Sequence, residues 1–125
     1  IQESDYLPAF EIAIKSQREN IQKIVNNKKK PTFLNTILAF EESGLLLDRV
    51  SNVFFGLTSA HKTPGIAETQ KKVMPLLTDL DNEISFNKQL FNRIKFVYDN
   101  ELKKLRGEDL RLTEQTYKRF VRSGA

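Results

Sequence analysis

The sequence predicts an all-α fold, an up-and-down bundle of about five helices. Apolar residues recur every three or four positions along most of the 125-residue chain, which is the spacing of amphipathic helices. No segment shows the strict alternation of apolar and polar residues that a half-buried strand requires. Only four prolines and five glycines are available to break the helices. Helices that each carry an apolar stripe and are joined by short loops pack as up-and-down bundles.

The first predicted helix covers residues 6–26. Asp5 is a suitable N-cap because its carboxylate can accept a hydrogen bond from a backbone amide of the first turn. Pro8 is tolerated so close to the start of a helix. The face expected to point inward is formed by Leu7, Phe10, Ile14, Ile21 and Val25.

The second predicted helix covers residues 33–60, with Thr32 as its N-cap. Its first apolar stripe consists of Phe33, Ile37, Phe40, Gly44, Leu47 and Phe54. A neighbouring stripe consists of Leu46, Val50, Val53 and Leu57. Together they are too wide for an ordinary surface helix, so this helix is either central to the bundle or packs part of its surface against protein outside this chain. The register continues through Ser43 and Gly44, which predicts a continuous or nearly continuous helix. A kink or a division at these two residues is the alternative.

Three further helices are predicted over residues 66–84, 88–100 and 108–123. The first of them follows a loop from His61 to Gly65, and Pro75 should bend it or make it begin anew. Asn87 is the expected N-cap of the next helix, and Gly107 breaks the chain before the last. Their inward-facing residues are expected to be Ile66, Val73, Leu77, Leu80 and Ile84, then Leu90, Phe91, Ile94, Val97 and Tyr98, and finally Leu110, Tyr117, Phe120 and Val121.

The composition is that of one globular domain. The net charge is +4 and the isoelectric point is about 9.4, but the basic residues cluster only at Lys28, Lys29 and Lys30. We interpret this run as a loop near a helix C-terminus, where cations are favourable. A nucleic-acid-binding surface would need more basic residues, interleaved with aromatic ones. The chain has no cysteine, which excludes a disulfide scaffold, a thiolate zinc site and a cysteine nucleophile.

No group of residues has the spacing of a catalytic or metal site. His61 is the only histidine and has no second ligand at a suitable distance in the sequence. The carboxylates of Glu41 and Glu42 diverge on a helix, and those of Asp79 and Asp81 do the same. The serines and threonines have no neighbouring general base. We therefore predict no catalytic, cofactor-binding or metal-binding residue in this chain.

Two arginines near the end of the last helix are the remaining candidates for ligand binding. Arg119 and Arg122 suit the negative end of a helix dipole, which is our interpretation of them. The alternative is that they hold a carboxylate or a phosphate.

Three segments resemble a known family. They are DYLPAFEIAI (5–14), PTFLNTILAFEESGLLLDRVSNVFFGLTSA (31–60) and YKRFVRSGA (117–125). They resemble the N-terminal region of the thimet-oligopeptidase-like zinc metallopeptidases, most of all bacterial peptidyl-dipeptidase and oligopeptidase A. The matching positions are Thr32, Phe33, Asn35, Thr36, Ile37, Glu42, Ser43, Gly44, Leu47 to Val50, Phe54, Phe55 and Leu57 to Ala60. Leu34 departs from the pattern, which has Glu there.

The resemblance implies that the parent protein hydrolyses short peptides with one zinc ion. The family's zinc site is an H-E-x-x-H helix with a later glutamate, and none of it falls within this chain. The implied role of these helices is to form part of the wall of a substrate channel, and their implied partner is the catalytic remainder of the parent chain. The start at Ile1 and the unfinished helical pattern at Ala125 also lead us to expect a piece of a longer protein.

Two other functions are compatible with the pattern. One is a stand-alone helical module that binds a partner helix, and the other is a basic nucleic-acid-binding bundle. No apolar run approaches the roughly 20 residues needed to cross a bilayer. We expect a cytoplasmic protein, with the periplasm as the alternative. Release of dipeptides from the C-terminus and internal cleavage are both left open.

Overall fold

A computed structural model shows an all-helical chain. It describes the backbone of residues 3–60 and 63–124, and the side chains of residues 5–56 and 63–124. The helices are α1 (Glu3–Val25), α2 (Ala39–Ser43), α3 (Leu45–Ala60), α4 (Pro64–Ser85), α5 (Lys88–Glu101) and α6 (Gly107–Arg122). A π-helical turn, Phe33–Leu38, leads directly into α2, and a 3-10 turn, Leu102–Lys104, follows α5. No strand occurs in these two ranges, and the predicted fold class is confirmed.

Consecutive helical regions reverse their direction. Phe54 packs edge-on against Phe10 with ring centroids 5.4 Å apart, whereas Gly44, at the opposite end of α3, lies against Gln17. Residues 33–60 therefore run antiparallel to α1. The helix α4 returns parallel to α1, and Arg18 reaches Glu83 near the C-terminal ends of both helices, with 2.7 Å between Nη2 and Oε2.

The helices α5 and α6 form an antiparallel pair lined by aromatic rings. Phe91 stacks on Phe120 near the start of α5 and the end of α6, with centroids 6.1 Å apart. Further along, Tyr98 stacks on Tyr117 at 4.0 Å. Phe120 also meets Phe40 of α2 edge-on, at 5.7 Å. These contacts join the C-terminal pair to the rest of the bundle.

The centre of the bundle is α1, which packs against α2, α3, α4 and α5. Residues 33–60 are central only in their first part, because the π-helical turn packs against α5 and α6 and α2 packs against α1, whereas α3 packs mainly on α1. In α3 the first apolar stripe is buried at Leu47 and Phe54, whereas in the second stripe Val50 packs against the core and Leu46 and Val53 stay exposed. The largest fully buried apolar side chains are Phe10, Phe54, Phe120, Ile37, Leu80, Leu90, Ile94, Val73 and Val97.

Three helices begin earlier than the sequence predicts, and one of them, α6, does so by a single residue, at Gly107. The helix α1 starts at Glu3, so Asp5 lies inside it and the prediction that Asp5 is the N-cap is wrong. The helix α4 starts at Pro64 because Thr63 caps it, accepting a hydrogen bond from the Ile66 amide at 3.2 Å. Proline suits this first position, since its ring sets the backbone angle and its missing N–H would have no partner there. The predicted loop is correspondingly shorter, and His61 lies outside the described residues.

Pro75 does not make α4 begin anew. The helix is continuous from Pro64 to Ser85, although proline cannot donate to the carbonyl four residues earlier. Val73 on one side of Pro75 and Leu80 on the other are buried in the core. Burial on both sides of Pro75 stabilises the helical backbone against the loss of one hydrogen bond.

The second helical region is divided at Gly44. This residue has φ −99° and ψ 2° and separates α2 from α3, so the alternative of a division at Ser43–Gly44 is the correct one. A β-carbon at Gly44 would stand 3.3 Å from Nε2 of Gln17. Glycine thus leaves room for the end of the Gln17 side chain of α1 at the point where the helix breaks.

The predicted caps of the second and fourth helices are confirmed. Thr32 accepts a hydrogen bond from the Asn35 amide at 3.1 Å, and Asn87 accepts one from the Leu90 amide at 3.0 Å. Gly107 has φ +57° at the start of α6, a left-handed conformation that favours glycine. It separates α5 from α6, as predicted.

Candidate functional site

A polar cluster holds the lysine-rich loop to the rest of the bundle. Asn35 lies at its centre and accepts hydrogen bonds from the Thr32 amide at 2.8 Å and from the Thr36 hydroxyl at 2.7 Å. Its side-chain amide donates to the Lys30 carbonyl at 3.0 Å. Together with the Thr32 cap, this forms a reciprocal capping box at the start of the π-helical turn.

Arg93 of α5 completes this cluster. Its Nη1 donates to the carbonyls of Asn27, at 2.9 Å, and Lys29, at 3.3 Å. Its Nη2 donates to Oδ1 of Asn35 at 3.3 Å. The Nε atom is buried and has no hydrogen-bond partner among the described residues. Burial lowers the pKa of the guanidinium from its ordinary value, but the group stays charged at neutral pH because arginine titrates far above it.

The predicted loop at Lys28–Lys30 is thus confirmed, and its backbone is clamped by Arg93. Lys30 places its ammonium 5.5 Å from the centroid of the Phe96 ring, which is a cation–π distance. Sequence periodicity did not identify Arg93 as important. The available signal was its position three residues after the inward-facing Leu90, where a charged side chain needs partners.

An open groove of about 420 Å³ runs between α1 and the region of the π-helical turn and α2. Its lining consists of Asn20, Lys23, Ile24, Asn27, Asn35, Ala39, Glu42 and Ser43. The hydroxyl of Ser43 donates to the Phe40 carbonyl at 2.5 Å and is not placed beside a base. The groove therefore shows no arrangement for nucleophilic catalysis.

The other candidate polar residues lie at the surface or within ion pairs. Glu41 and Glu42 are exposed, as are Asp79 and Asp81. No group of three or more possible ligands from His, Cys, Asp and Glu comes together in the described part of the chain. The single histidine does not fit the H-E-x-x-H zinc site of the family that the sequence resembles, because that site requires two histidines.

The two arginines near the end of α6 already have partners within the chain. Arg119 lies 3.9 Å from a carboxylate oxygen of Asp81, and its guanidinium is 5.7 Å from the centroid of the Phe40 ring. Nε of Arg122 donates to the Lys118 carbonyl at 3.4 Å, in the last turn of the helix. This arrangement agrees with stabilisation of the helix C-terminus by cations.

The outward side of α3 carries several exposed aliphatic side chains. Leu45, Leu46 and Val53 are 49%, 40% and 46% exposed, respectively. The first predicted stripe is in the core at Leu47 and Phe54. In the second stripe Leu46 and Val53 are exposed, Val50 packs partly against the core and Leu57 lies outside the described side chains. Aliphatic side chains of this size are normally buried or are covered by a partner when they gather on one helix.

No helix within the described ranges is long and apolar enough to cross a membrane.

Comparison with known proteins shows relatives of this chain among bacterial peptidases. The chain is 38% identical over its whole length to a dipeptidyl carboxypeptidase of Salmonella typhimurium. It is 40% identical over 96% of its length to a dipeptidyl carboxypeptidase of Escherichia coli. The matched stretch spans 18% of each relative and lies in its N-terminal region. A comparison with models of known protein families finds no match.

These comparisons confirm the resemblance that the sequence segments indicated. The similarity extends over the capping box, the divided second region and the aromatic contacts of α6.

Proposed function

We propose that this chain, homologous to the N-terminal region of bacterial dipeptidyl carboxypeptidase, is the helical N-terminal domain of a zinc-dependent peptidase of short peptides. The observation that carries the proposal is the identity of 38–40% over essentially the whole chain. In this proposal the helices shape a channel that admits short peptides, while the zinc site and the catalytic residues belong to the remainder of the parent chain. The reaction is the hydrolysis of a peptide bond that releases a dipeptide from the substrate's C-terminus.

The geometry supports a scaffold role for these helices. The bundle has a continuous core around α1, and the lysine-rich loop is held by Arg93 rather than left as a free arm. A rigid helical wall restricts which substrates reach a catalytic centre without itself contacting the reacting atoms. A preference for short, unstructured peptides follows, because a folded protein cannot enter a narrow channel.

The test uses the full-length protein that contains this chain. We expect it to release a dipeptide from the C-terminus of N-acetylated peptides of four to six residues, followed by mass spectrometry. A chelator should abolish the hydrolysis and Zn²⁺ should restore it. A folded protein with an accessible C-terminus should not be cleaved, whereas the same protein unfolded and digested into short peptides should be.

Two results would contradict the proposal. One is a full-length protein that hydrolyses none of these peptides in the presence of Zn²⁺. The other is equal hydrolysis by residues 1–125 expressed alone, since the chain would then need a catalytic centre of its own. Internal cleavage of the peptides, without release of dipeptides, would retain the peptidase and correct its specificity.

A further inference from the structure

The outward side of α3 carries three large aliphatic side chains that are 40–49% exposed. Leu46 and Val53 are seven positions apart, which places them about 20° from each other around the helix. Leu45 lies on the same exposed half, about 80° from Val53. We call the surface formed by Leu45, Leu46 and Val53 the outer α3 face. The opposite half of the helix, with Leu47 and Phe54, is buried on α1.

We infer that the outer α3 face is covered, in the full-length protein, by a segment of the same polypeptide that lies outside residues 1–125. This inference rests on the proposed function, because it requires the longer chain that the relatives have. The matched stretch spans 18% of each relative, so more than four fifths of a chain of that length is available to supply the cover.

The size of the face favours the same polypeptide over a second copy. A stable interface between two proteins buries about 800 Å² on each partner. Three half-exposed aliphatic side chains expose much less than this area. Contacts within one polypeptide do not pay the translational and rotational cost of association, so a small apolar face suffices there.

The exposed half of α3 also indicates what the covering segment presents. Arg49 is exposed on the same half, between Leu45 and Val53 in angular position. Arginine can lay its aliphatic stem along an apolar surface while its charged end reaches a polar partner at the edge. The covering segment should therefore carry apolar side chains at its centre and a hydrogen-bond acceptor, a carboxylate or a carbonyl, beside Arg49.

Ile12 provides a matched comparison on α1. It is 65% exposed, yet its helical neighbours on that side, Pro8, Glu11, Lys15 and Glu19, are exposed and mostly charged. A single apolar residue on a charged face is ordinary at a solvated surface. We therefore expect Ile12 to remain accessible in the full-length protein while the outer α3 face does not.

The test is thiol labelling of the full-length protein. The variants Leu46→Cys, Val53→Cys and Ile12→Cys are treated separately with a maleimide, and the modification of each site is followed by peptide mass spectrometry. Each rate is divided by the rate of the same variant in denaturant. We expect Leu46→Cys and Val53→Cys to react at least about tenfold more slowly than Ile12→Cys, because a covered site reacts only when it opens.

Equal normalised rates at the three sites would overturn the inference. The inference would also be overturned if sedimentation showed dimers and the protection disappeared on dilution, because the cover would then be a second copy of the protein. Peptidase activity of the unmodified full-length protein is measured separately. An active protein with unprotected sites overturns the docking and leaves the proposed function. A protein with protected sites and no activity overturns the proposed function and leaves the docking.

Discussion

Arg93 is the single residue whose surroundings most depend on the tertiary structure. It reaches two carbonyls of the loop after α1 and the side chain of Asn35, and so joins α5 to the start of the second helical region. Its partners are neutral, and the residue is partly buried. Hydrogen bonds from a charged donor are stronger than those between neutral groups. Removal of the donor also leaves its acceptors unpaired, which costs further free energy where they are buried.

Replacement of Arg93 should therefore destabilise the domain. We expect Arg93→Ala to lower the free energy of unfolding by roughly 2 kcal/mol, measured by urea denaturation. Arg93→Lys should recover only part of this, because an ammonium group cannot reproduce the fork of a guanidinium. The control is Arg111→Ala, which removes an exposed ion pair with Glu108 and should cost less than about 0.5 kcal/mol. Equal losses for Arg93→Ala and Arg111→Ala would show that the clamp contributes nothing.

The helices α3 and α6 each contain a glycine whose replacement by alanine should change the stability, in opposite directions. Gly56 lies inside α3, and a β-carbon there would meet no atom of the described residues within 4 Å. Gly107 also has open space, but its φ of +57° is left-handed. An alanine fits the helical backbone of α3 and is strained at the start of α6.

The two alanine substitutions should therefore shift stability in opposite directions. We expect Gly56→Ala to raise the free energy of unfolding by about 0.5–1 kcal/mol, because alanine loses less backbone entropy in a helix. Gly107→Ala should lower it by about 1 kcal/mol, because an L-residue is disfavoured in the left-handed region. Both are read from thermal and urea unfolding of the same preparation. A change of the same sign in both variants would contradict the assigned backbone conformations.

Across the whole molecule, the core depends on α1 as the common partner of the other helices. Phe10 is fully buried and meets the rings of Phe54 and Phe55 at 5.4 and 6.3 Å. Ile12, two residues further along the same helix, is 65% exposed. A change at Phe10 therefore alters the packing of the bundle, whereas a change at Ile12 alters only a solvated surface.

Truncation of these two side chains should distinguish a buried position of α1 from an exposed one. Phe10→Ala should cost about 3–5 kcal/mol of unfolding free energy, the range for large-to-small changes in a core. Ile12→Ala should change it by less than about 0.5 kcal/mol. Circular dichroism in urea follows both, and one cooperative transition is expected because the helices share α1. Comparable losses at the two positions would mean that α1 is not the centre of the bundle.

Local patterns in the chain were enough to predict the helical class, the caps at Thr32 and Asn87 and the break at Gly107. These features depend on backbone sterics and on hydrogen bonds between residues close in sequence. The family resemblance could also be identified from the sequence, because it consists of matching residues in the same order along the chain. The start of α1 was missed because Asp5 suits a cap but the helix extends past it.

The tertiary structure alone decided which apolar surfaces are buried. Periodicity shows that residues 33–60 carry two stripes, but burial depends on which other helix reaches each stripe. Here α1 covers Leu47 and Phe54 and leaves Leu46 and Val53 exposed. Packing also keeps α4 whole at Pro75, divides the chain at Gly44 and gives Arg93 its partners. Each of these outcomes depends on contacts between residues far apart in sequence, which a local pattern does not contain.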